Sequence, residues 1–352
     1  MKMKITIWGF AASLALLGVI FGSKPASAST FNQVLVFGDS TVDTGWFRYK
    51  PLPNTQPLHD LAAASLADGG RIPDTPYGLG AAQILAAHFG LFANPADNGA
   101  GGTNYAASGA QNNANFTNPS APSTVSQINT YLSTHGGSAN SNALYLFSSG
   151  GNDIKYAKTL SGTSNQTAWV AGAASAAATA LSQLQTAGAH SIIVSNGYVA
   201  NSTGVIGTLT STYYNDLFAD LTTDNVHFIK ADFQSVQQAI FANPSAYGFT
   251  SISNVDGPNG TALINPDPAL ILNSWALYGT TALLRSPNAA QTSFWADDEH
   301  LAAAAQQIEG NFLFSVATPL PAALPLFATG LGVMALLTRR RKRKNADALV
   351  AA

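Results

Sequence analysis

Ser40, Asp297 and His300 are the residues whose types could carry a reaction between them. Ser40 lies in Phe37-Gly38-Asp39-Ser40-Thr41-Val42-Asp43-Thr44-Gly45, directly after the apolar run 34–37. Such a run reads as a buried strand, and open α/β sheets form their ligand crevices at the carboxyl ends of strands. A serine hydroxyl there becomes a nucleophile if a neighbouring base takes its proton. Gly, Asp and Ser are also ordinary turn and cap residues, so Ser40 reads equally as a helix N-cap. The candidate base is His300, which closes Phe294-Trp295-Ala296-Asp297-Asp298-Glu299-His300. Three residues before His300 in a turn, Asp297 can accept from one imidazole nitrogen while the other faces a nucleophile. A purely structural His–Asp pair is the alternative. Metal ligation is disfavoured because no second histidine stands at ligand spacing.

Ester hydrolysis through a serine also needs donors where the tetrahedral oxyanion forms. Asn104-Tyr105-Ala106-Ala107-Ser108-Gly109-Ala110 offers a glycine N–H in a small-residue loop, and Gly150-Gly151-Asn152-Asp153 offers a side-chain amide just after a second apolar run, 144–147. Each piece alone could be a bland turn, but four in this order, two at strand ends, resemble the four blocks of the SGNH/GDSL hydrolase family. The resemblance spans 31–314. It implies Ser40 as nucleophile, Gly109 and Asn152 as oxyanion partners of the Ser40 N–H, His300 as general base and acid, and Asp297 as its orienter. It also implies a three-layer α/β/α sandwich, flavodoxin-like with a five-stranded parallel sheet, no cofactor, and an ester substrate, either a lipid or an acetylated glycan. This sequence carries Thr41 where Leu is usual after the serine, and Ser108 before Gly109 where many members have two glycines.

The leading expectation is therefore an exported serine esterase or lipase. A carbohydrate O-acetyl esterase acting on exopolysaccharide is the second reading, and a non-catalytic surface or matrix protein that keeps the fold is a third.

The elements that must position these residues read as strands at 34–37, 144–147, 191–194 and 226–229, alternating with helices at 76–91, 168–187, 212–221, 233–241 and 302–314. That rhythm argues for α/β architecture with a parallel sheet. Stretches 94–124 and 254–288, rich in Gly, Asn, Ser or Pro, read as long loops. No Gly/Ser/Pro linker divides the body, so one hydrolase domain is expected over 29–317. Trp46, Phe47, Tyr49 and Trp295 lie close in sequence to Ser40 or His300 and could line an acyl pocket, core packing being the other reading. Asp298 and Glu299 compete with Asp297 only by proximity. Asp39 and Asp43 read as turn residues rather than metal ligands, and Asn112, Asn113, Asn115 and Asn118 as a solvated loop rather than a sugar site.

Composition narrows the classes further. The 352 residues are 46% hydrophobic and 10% charged, enough for a sizeable core and unlike a disordered chain. The formal net charge of -2 hides an asymmetry. Lys2, Lys4 and Lys24 precede the body and 339–344 is a basic run, so the stretch between them keeps seven basic and seventeen acidic residues, a net -10. An acidic body is a poor partner for nucleic acid. Cysteine is absent, which removes thiol catalysis, Cys-ligated zinc and disulfides.

Residues 1–28 have a basic start, an apolar run and Ala26-Ser27-Ala28, the order of a secretory signal peptide. The apolar stretch 320–337 is long enough to span a bilayer, with the basic run directly after it. With Thr318-Pro319-Leu320-Pro321-Ala322-Ala323-Leu324 it resembles a PEP-CTERM sorting tail over 318–352, although Pro-Leu-Pro stands in place of Pro-Glu-Pro. That resemblance implies an exosortase-type sorting partner and a membrane-held intermediate. The expected location is the periplasm, cell surface or exterior of a Gram-negative bacterium. A plain C-terminal anchor is the alternative.

Overall fold

The computed structural model describes residues 31–46, 79–96, 101–113, 116, 121–197, 204–254, 285–297 and 299–318. Within them the chain runs β1 (Gln33–Gly38), α1 (Ala81–His88), α2 (Thr124–Thr134), β2 (Ala143–Ser148), α3 (Gly151–Thr159), α4 (Thr163–Thr186) and β3 (Ser191–Ser195). It continues with α5 (Gly204–Thr223), β4 (Ile229–Ala231), α6 (Phe233–Ala242), a 3₁₀ turn at Pro244–Tyr247, the short α7 (Ala289–Thr292) and α8 (Ala303–Ala317). Phe31–Ala317 form one compact unit.

The four strands make one sheet in the order β1-β2-β3-β4, every pair parallel. Alternation along the strands sends their side chains into two separate cores, because successive residues point to opposite faces. Leu35, Phe37, Tyr145, Phe147, Ile192 and Val194 pack with α2, α3, α4 and α5. Val34, Val36, Leu144, Leu146 and Ile193 pack on the other face with α1 and α8. A parallel sheet covered on both sides reads as continuous apolar runs, and β2 is buried along its whole length. The three-layer α/β/α expectation holds.

The strand count differs. Four strands are present among the described residues where five were expected, and the open side of β1 shows why. There the segment 103–107 makes three backbone bonds to β1: Val36 N–H to Thr103 O at 3.1 Å, Tyr105 N–H to Val36 O at 2.8 Å and Ala107 N–H to Gly38 O at 3.1 Å. Only one parallel bridge forms, Val36 with Asn104. Asn104 donates its side-chain amide to Val42 O at 2.7 Å and accepts from Ala106 N–H at 2.9 Å. Those bonds bend the segment away, so it ends as a loop carrying Ser108 and Gly109.

Two other departures have local causes. The fourth strand begins at Ile229 rather than at 226, because Val226 N–H still bonds Leu221 O at the end of α5 and His227 N–H donates to the Gln185 side chain at 2.6 Å. Helix α2 was not expected at all. Its buried face is Thr124, Gln127, Ile128 and Tyr131, the spacing of a helix stripe but half polar. The Ser123 hydroxyl caps it by accepting from Ser126 N–H at 3.2 Å.

No helix among the described residues is long and apolar enough to cross a membrane. The stretches 1–28 and 320–337 lie outside the described residues, as do Phe47, Tyr49, Asn115, Asn118 and Asp298.

Candidate active site

Ser40 stands at the carboxyl end of β1, in a tight turn opened by Asp39. Val42 N–H and Asp43 N–H both bond back to Asp39 O, and the Asp39 carboxylate accepts from Thr41 N–H at 3.0 Å and from the Thr41 hydroxyl at 2.8 Å. Asp39 therefore caps this turn, which leaves the Ser40 side chain free for another partner. Ser40 is partly exposed while Asp39 is buried. Burial pushes the Asp39 carboxyl up, with the Thr41 bonds working against it. Gly38 is fixed by close approach: a Cβ there would fall 2.0 Å from Ser148 O. Its N–H donates to the Gln127 side chain at 2.9 Å, and Gln127 donates back to Gly38 O at 2.9 Å. A buried glutamine on α2 thus locks the residue two before the serine.

The partner of Ser40 comes from 260 residues away. His300 Nε2 lies 2.8 Å from Ser40 Oγ, and His300 Nδ1 lies 2.7 Å from Asp297 Oδ2. The other oxygen of Asp297 accepts from Glu299 N–H at 2.8 Å and His300 N–H at 2.6 Å. Asp297 and His300 are 0% and 2% exposed, so the pair sits outside bulk solvent. Their loop is closed at its base by a Trp295–Leu301 antiparallel bridge and by Ala296 N–H to His300 O at 2.7 Å. Phe294 and Trp295 root it in an apolar cluster with Phe233 and Phe249. Glu299 is turned outward to an ion pair with Lys155 of α3, which leaves Asp297 as the carboxylate on the imidazole.

The electrostatics follow from that burial. For His300, desolvation pulls the pKa down, but the Asp297 charge and hydrogen bond outweigh it and hold the imidazolium up to about 9. For Asp297, desolvation raises the carboxyl while the His300 charge and the three hydrogen bonds win and keep it below its ordinary value.

The segments that carry Gly109 and Asn152 are bonded to each other and, through Ser108, to the Ser40 turn. Ser108 is buried, and both its N–H and its hydroxyl donate to Asp43 Oδ2 at 2.8 Å. Its N–H is thereby spent. Gly109, the next residue, is partly exposed. Asp43 also accepts from Gly45 N–H and Trp46 N–H through its other oxygen, so it staples the Ser40 turn to the Gly109 loop. Asn152 lies in the first turn of α3 and is 6% exposed; one of its amide hydrogens goes to Ala110 O at 3.0 Å. A primary amide has two such hydrogens. The turn into α3 requires Gly150, which has φ +118° and whose Cβ would meet the Tyr213 ring at 2.3 Å.

The neighbouring residues resolve in different ways. Trp46 packs with Ala107, Ala110 and Ala121, and Trp295 is 1% exposed with its indole N–H on Ile252 O, which agrees with the core-packing reading of both. Asn112 is not solvated. It is fully buried, donates to Tyr213 Oη at 2.6 Å, accepts from the Thr124 hydroxyl at 2.8 Å, and gives its backbone N–H to Asp153. Burial pushes Asp153 up to about 8, with Asn112 N–H opposing and the Asp39 charge assisting. Gln127, Asp43 and this Asn112–Asp153–Tyr213 cluster were not singled out as positioning residues. Their signal is weak, since each is a polar residue on a buried face.

The GDSL-like lipase/acylhydrolase family model matches residues 34–267, about two thirds of the chain. The chain belongs to this family. Ser40, Gly109 and Asn152 fall inside the matched region, whereas Asp297 and His300 fall beyond it and are brought to Ser40 by the fold. No curated protein matches the chain. The family is one of ester hydrolases acting on an acyl bond, and a partly exposed serine hydrogen-bonded to a carboxylate-held histidine is the arrangement such chemistry requires.

Proposed function

We propose that the protein hydrolyses carboxylic esters through an acyl-enzyme on Ser40. The single observation that carries this reading is the unbroken line Ser40 Oγ, His300 Nε2, His300 Nδ1, Asp297 Oδ2, with both contacts at hydrogen-bond length. His300 takes the Ser40 proton as Oγ attacks the ester carbonyl, and Asp297 holds the imidazole in the tautomer that presents Nε2 as acceptor. The Ser40 and Gly109 N–H groups and the second Asn152 amide hydrogen receive the negative charge on the tetrahedral oxygen. His300 then returns the proton to the departing alcohol, and water releases the acid by the same route in reverse. The burial of Asp297 and His300 supports this role, because charge developing on the imidazole is balanced in a site of low dielectric.

Export is part of the same proposal. The order of features in 1–28 supports a cleaved signal peptide, and the apolar stretch 320–337 with its basic flank supports a membrane-held tail that sorting machinery could process.

The test is a panel of 4-nitrophenyl esters from acetyl to palmitoyl, given to the full chain and to Ser40→Ala. The expected result is hydrolysis of at least the short esters, lost in Ser40→Ala while circular dichroism remains that of the parent. Hydrolysis that survives the substitution would overturn the assignment.

A further inference from the structure

The two sides of the site are rooted in different cores. Helix α3, whose first turn carries Asn152, packs through Ile154 and Ala157 into the cluster on one face of the sheet. The loop 294–301, which carries Asp297 and His300, is rooted through Phe294, Trp295 and Leu301 in a separate cluster with Phe233, Ile240 and Phe249. Acyl transfer needs the oxyanion donors and the base held together around one carbonyl, and a misplacement of about 1 Å can cost about a hundredfold in rate. Apolar packing within each cluster does not by itself set the distance between them.

An ion pair crosses from one to the other: Lys155 Nζ donates to Glu299 Oε2. Both of its ends are fixed next to the chemistry. Lys155 is three residues after Asn152 on α3, so the two side chains are neighbours on the helix surface. Glu299 directly precedes His300, and its N–H donates to Asp297 Oδ1 at 2.8 Å. The Lys155 charge acts on both His300 and Asp39, which places it within electrostatic reach of the base and of the Ser40 turn. The body keeps seven basic residues against seventeen acidic ones, so a lysine beside the base is a local exception to its charge. The two side chains remain 45% and 27% exposed. A pair so exposed adds little to global stability. What it secures is local, the register of two segments that belong to different cores.

We propose that Lys155 and Glu299 are a positioning pair for the ester hydrolysis, a latch that holds the oxyanion helix and the histidine loop in register around Ser40. This rests on the serine ester hydrolase reading above. Neither side chain transfers a proton; the pair acts through Asn152 on one side and His300 on the other. It also carries an electrostatic signature. The described charged groups acting on His300 are Asp297 and Glu299, which support the imidazolium, and Lys155, which opposes it, with Asp39 beside Ser40 coupled to it as well. Removing either member of the latch therefore loosens the same register but shifts the base in opposite directions.

The experiment measures kcat and KM for 4-nitrophenyl acetate from pH 6 to pH 10 in the full chain, in Lys155→Met, in Glu299→Gln, in the double variant and in the charge swap Lys155→Glu with Glu299→Lys, with a thermal melt of each. The expected result is a plateau kcat lowered about threefold to fivefold in each single variant at nearly unchanged KM, no further loss in the double variant, and recovery in the swap. The limb of the kcat/KM profile should move up in Lys155→Met and down in Glu299→Gln. Losses that add in the double variant, or limbs that stay in place in both single variants, would make this an ordinary surface ion pair and overturn the proposal. A changed KM at constant kcat would put the pair on the substrate and overturns it too, as does a kcat that falls only in step with Tm. Failure of the underlying reading shows separately, as 4-nitrophenyl acetate hydrolysis that persists in Ser40→Ala.

Discussion

Ser40, His300 and Asp297 act as a unit whose weakest member is the proton balance of the histidine. Asp297 holds the imidazolium up to about 9, and only the neutral imidazole can accept the serine proton. The kcat/KM profile is therefore expected to rise with pH through a limb near 9. Asp297→Asn should move that limb toward the ordinary histidine value near 6.5 and cost about 10⁴ in kcat, read from a pH–rate series on 4-nitrophenyl acetate. A limb that stays in place would mean that another group sets it. Asn152→Ala is expected to lower kcat by about 10²–10³ with a much smaller change in KM, because the oxyanion exists only in the transition state. An unchanged kcat would remove Asn152 from the oxyanion site. At this scale the sequence was informative. Ser40, Asp297, His300 and Asn152 stand in short blocks whose residue types already state their chemistry, and Ser108, the neighbour of Gly109, is found bonded to Asp43. For Trp46 and Trp295 the sequence left pocket lining and core packing both open, since nearness along the chain does not say on which side of the backbone a side chain is buried; both are buried.

At the scale of elements, the strand ends are held by buried polar side chains that hydrophobic periodicity does not reveal. Helix α2 escaped notice because Thr124 and Gln127 occupy two of its four buried positions. Gln127 satisfies both backbone groups of Gly38. Replacing it with Leu keeps the volume and leaves a buried N–H without its side-chain acceptor. The expected loss is about 1–3 kcal/mol in a urea titration, together with lower kcat as the Ser40 turn loosens. Gln127→Glu, which restores an acceptor for Gly38 N–H, should recover part of the rate. No loss of stability would show that the β1 end does not need this clamp. The apolar pattern read four strands, as the described sheet has, and the fifth was implied by the family resemblance alone. Segment 103–107 has the backbone bonds of a strand on one side, but Asn104 diverts it, and side-chain hydrogen bonds of that kind are invisible to a pattern of apolar residues.

For the whole molecule, the α/β class was legible because parallel strands covered on both faces leave apolar runs of four to six residues separated by helices. The buried acids were not legible, and they govern how stability responds to pH. Glu309 of α8 is fully buried, and neither of its carboxyl oxygens has a hydrogen-bond partner among the described residues. Burial pushes it up to about 8, the Asp39 charge adding to the effect. Between its ordinary value near 4.5 and about 8 the unfolded chain has released this proton while the folded chain keeps it. Stability therefore falls as pH rises across that window, by about 1.4 kcal/mol per pH unit for each such group. Asp153 acts in the same direction. The His300–Asp297 pair does too, its contribution being complete below about 6.5 and lost as pH rises through about 9. Thermal melts are expected to show Tm falling from pH 5 to pH 9, and Glu309→Gln should flatten that fall while leaving Tm near pH 5 close to the parent's. Parallel curves for parent and variant would contradict this account of Glu309.

The central claim is that Ser40 is the nucleophile, and covalent trapping tests it most directly. The full chain is incubated with a fluorophosphonate alkyl ester, and the adduct is located by peptide mass analysis. The expected result is one equivalent of phosphonate on Ser40, with ester hydrolysis lost in proportion and no adduct in Ser40→Ala. Modification at another residue with parallel loss of activity, or undiminished hydrolysis by a fully labelled Ser40, would contradict it.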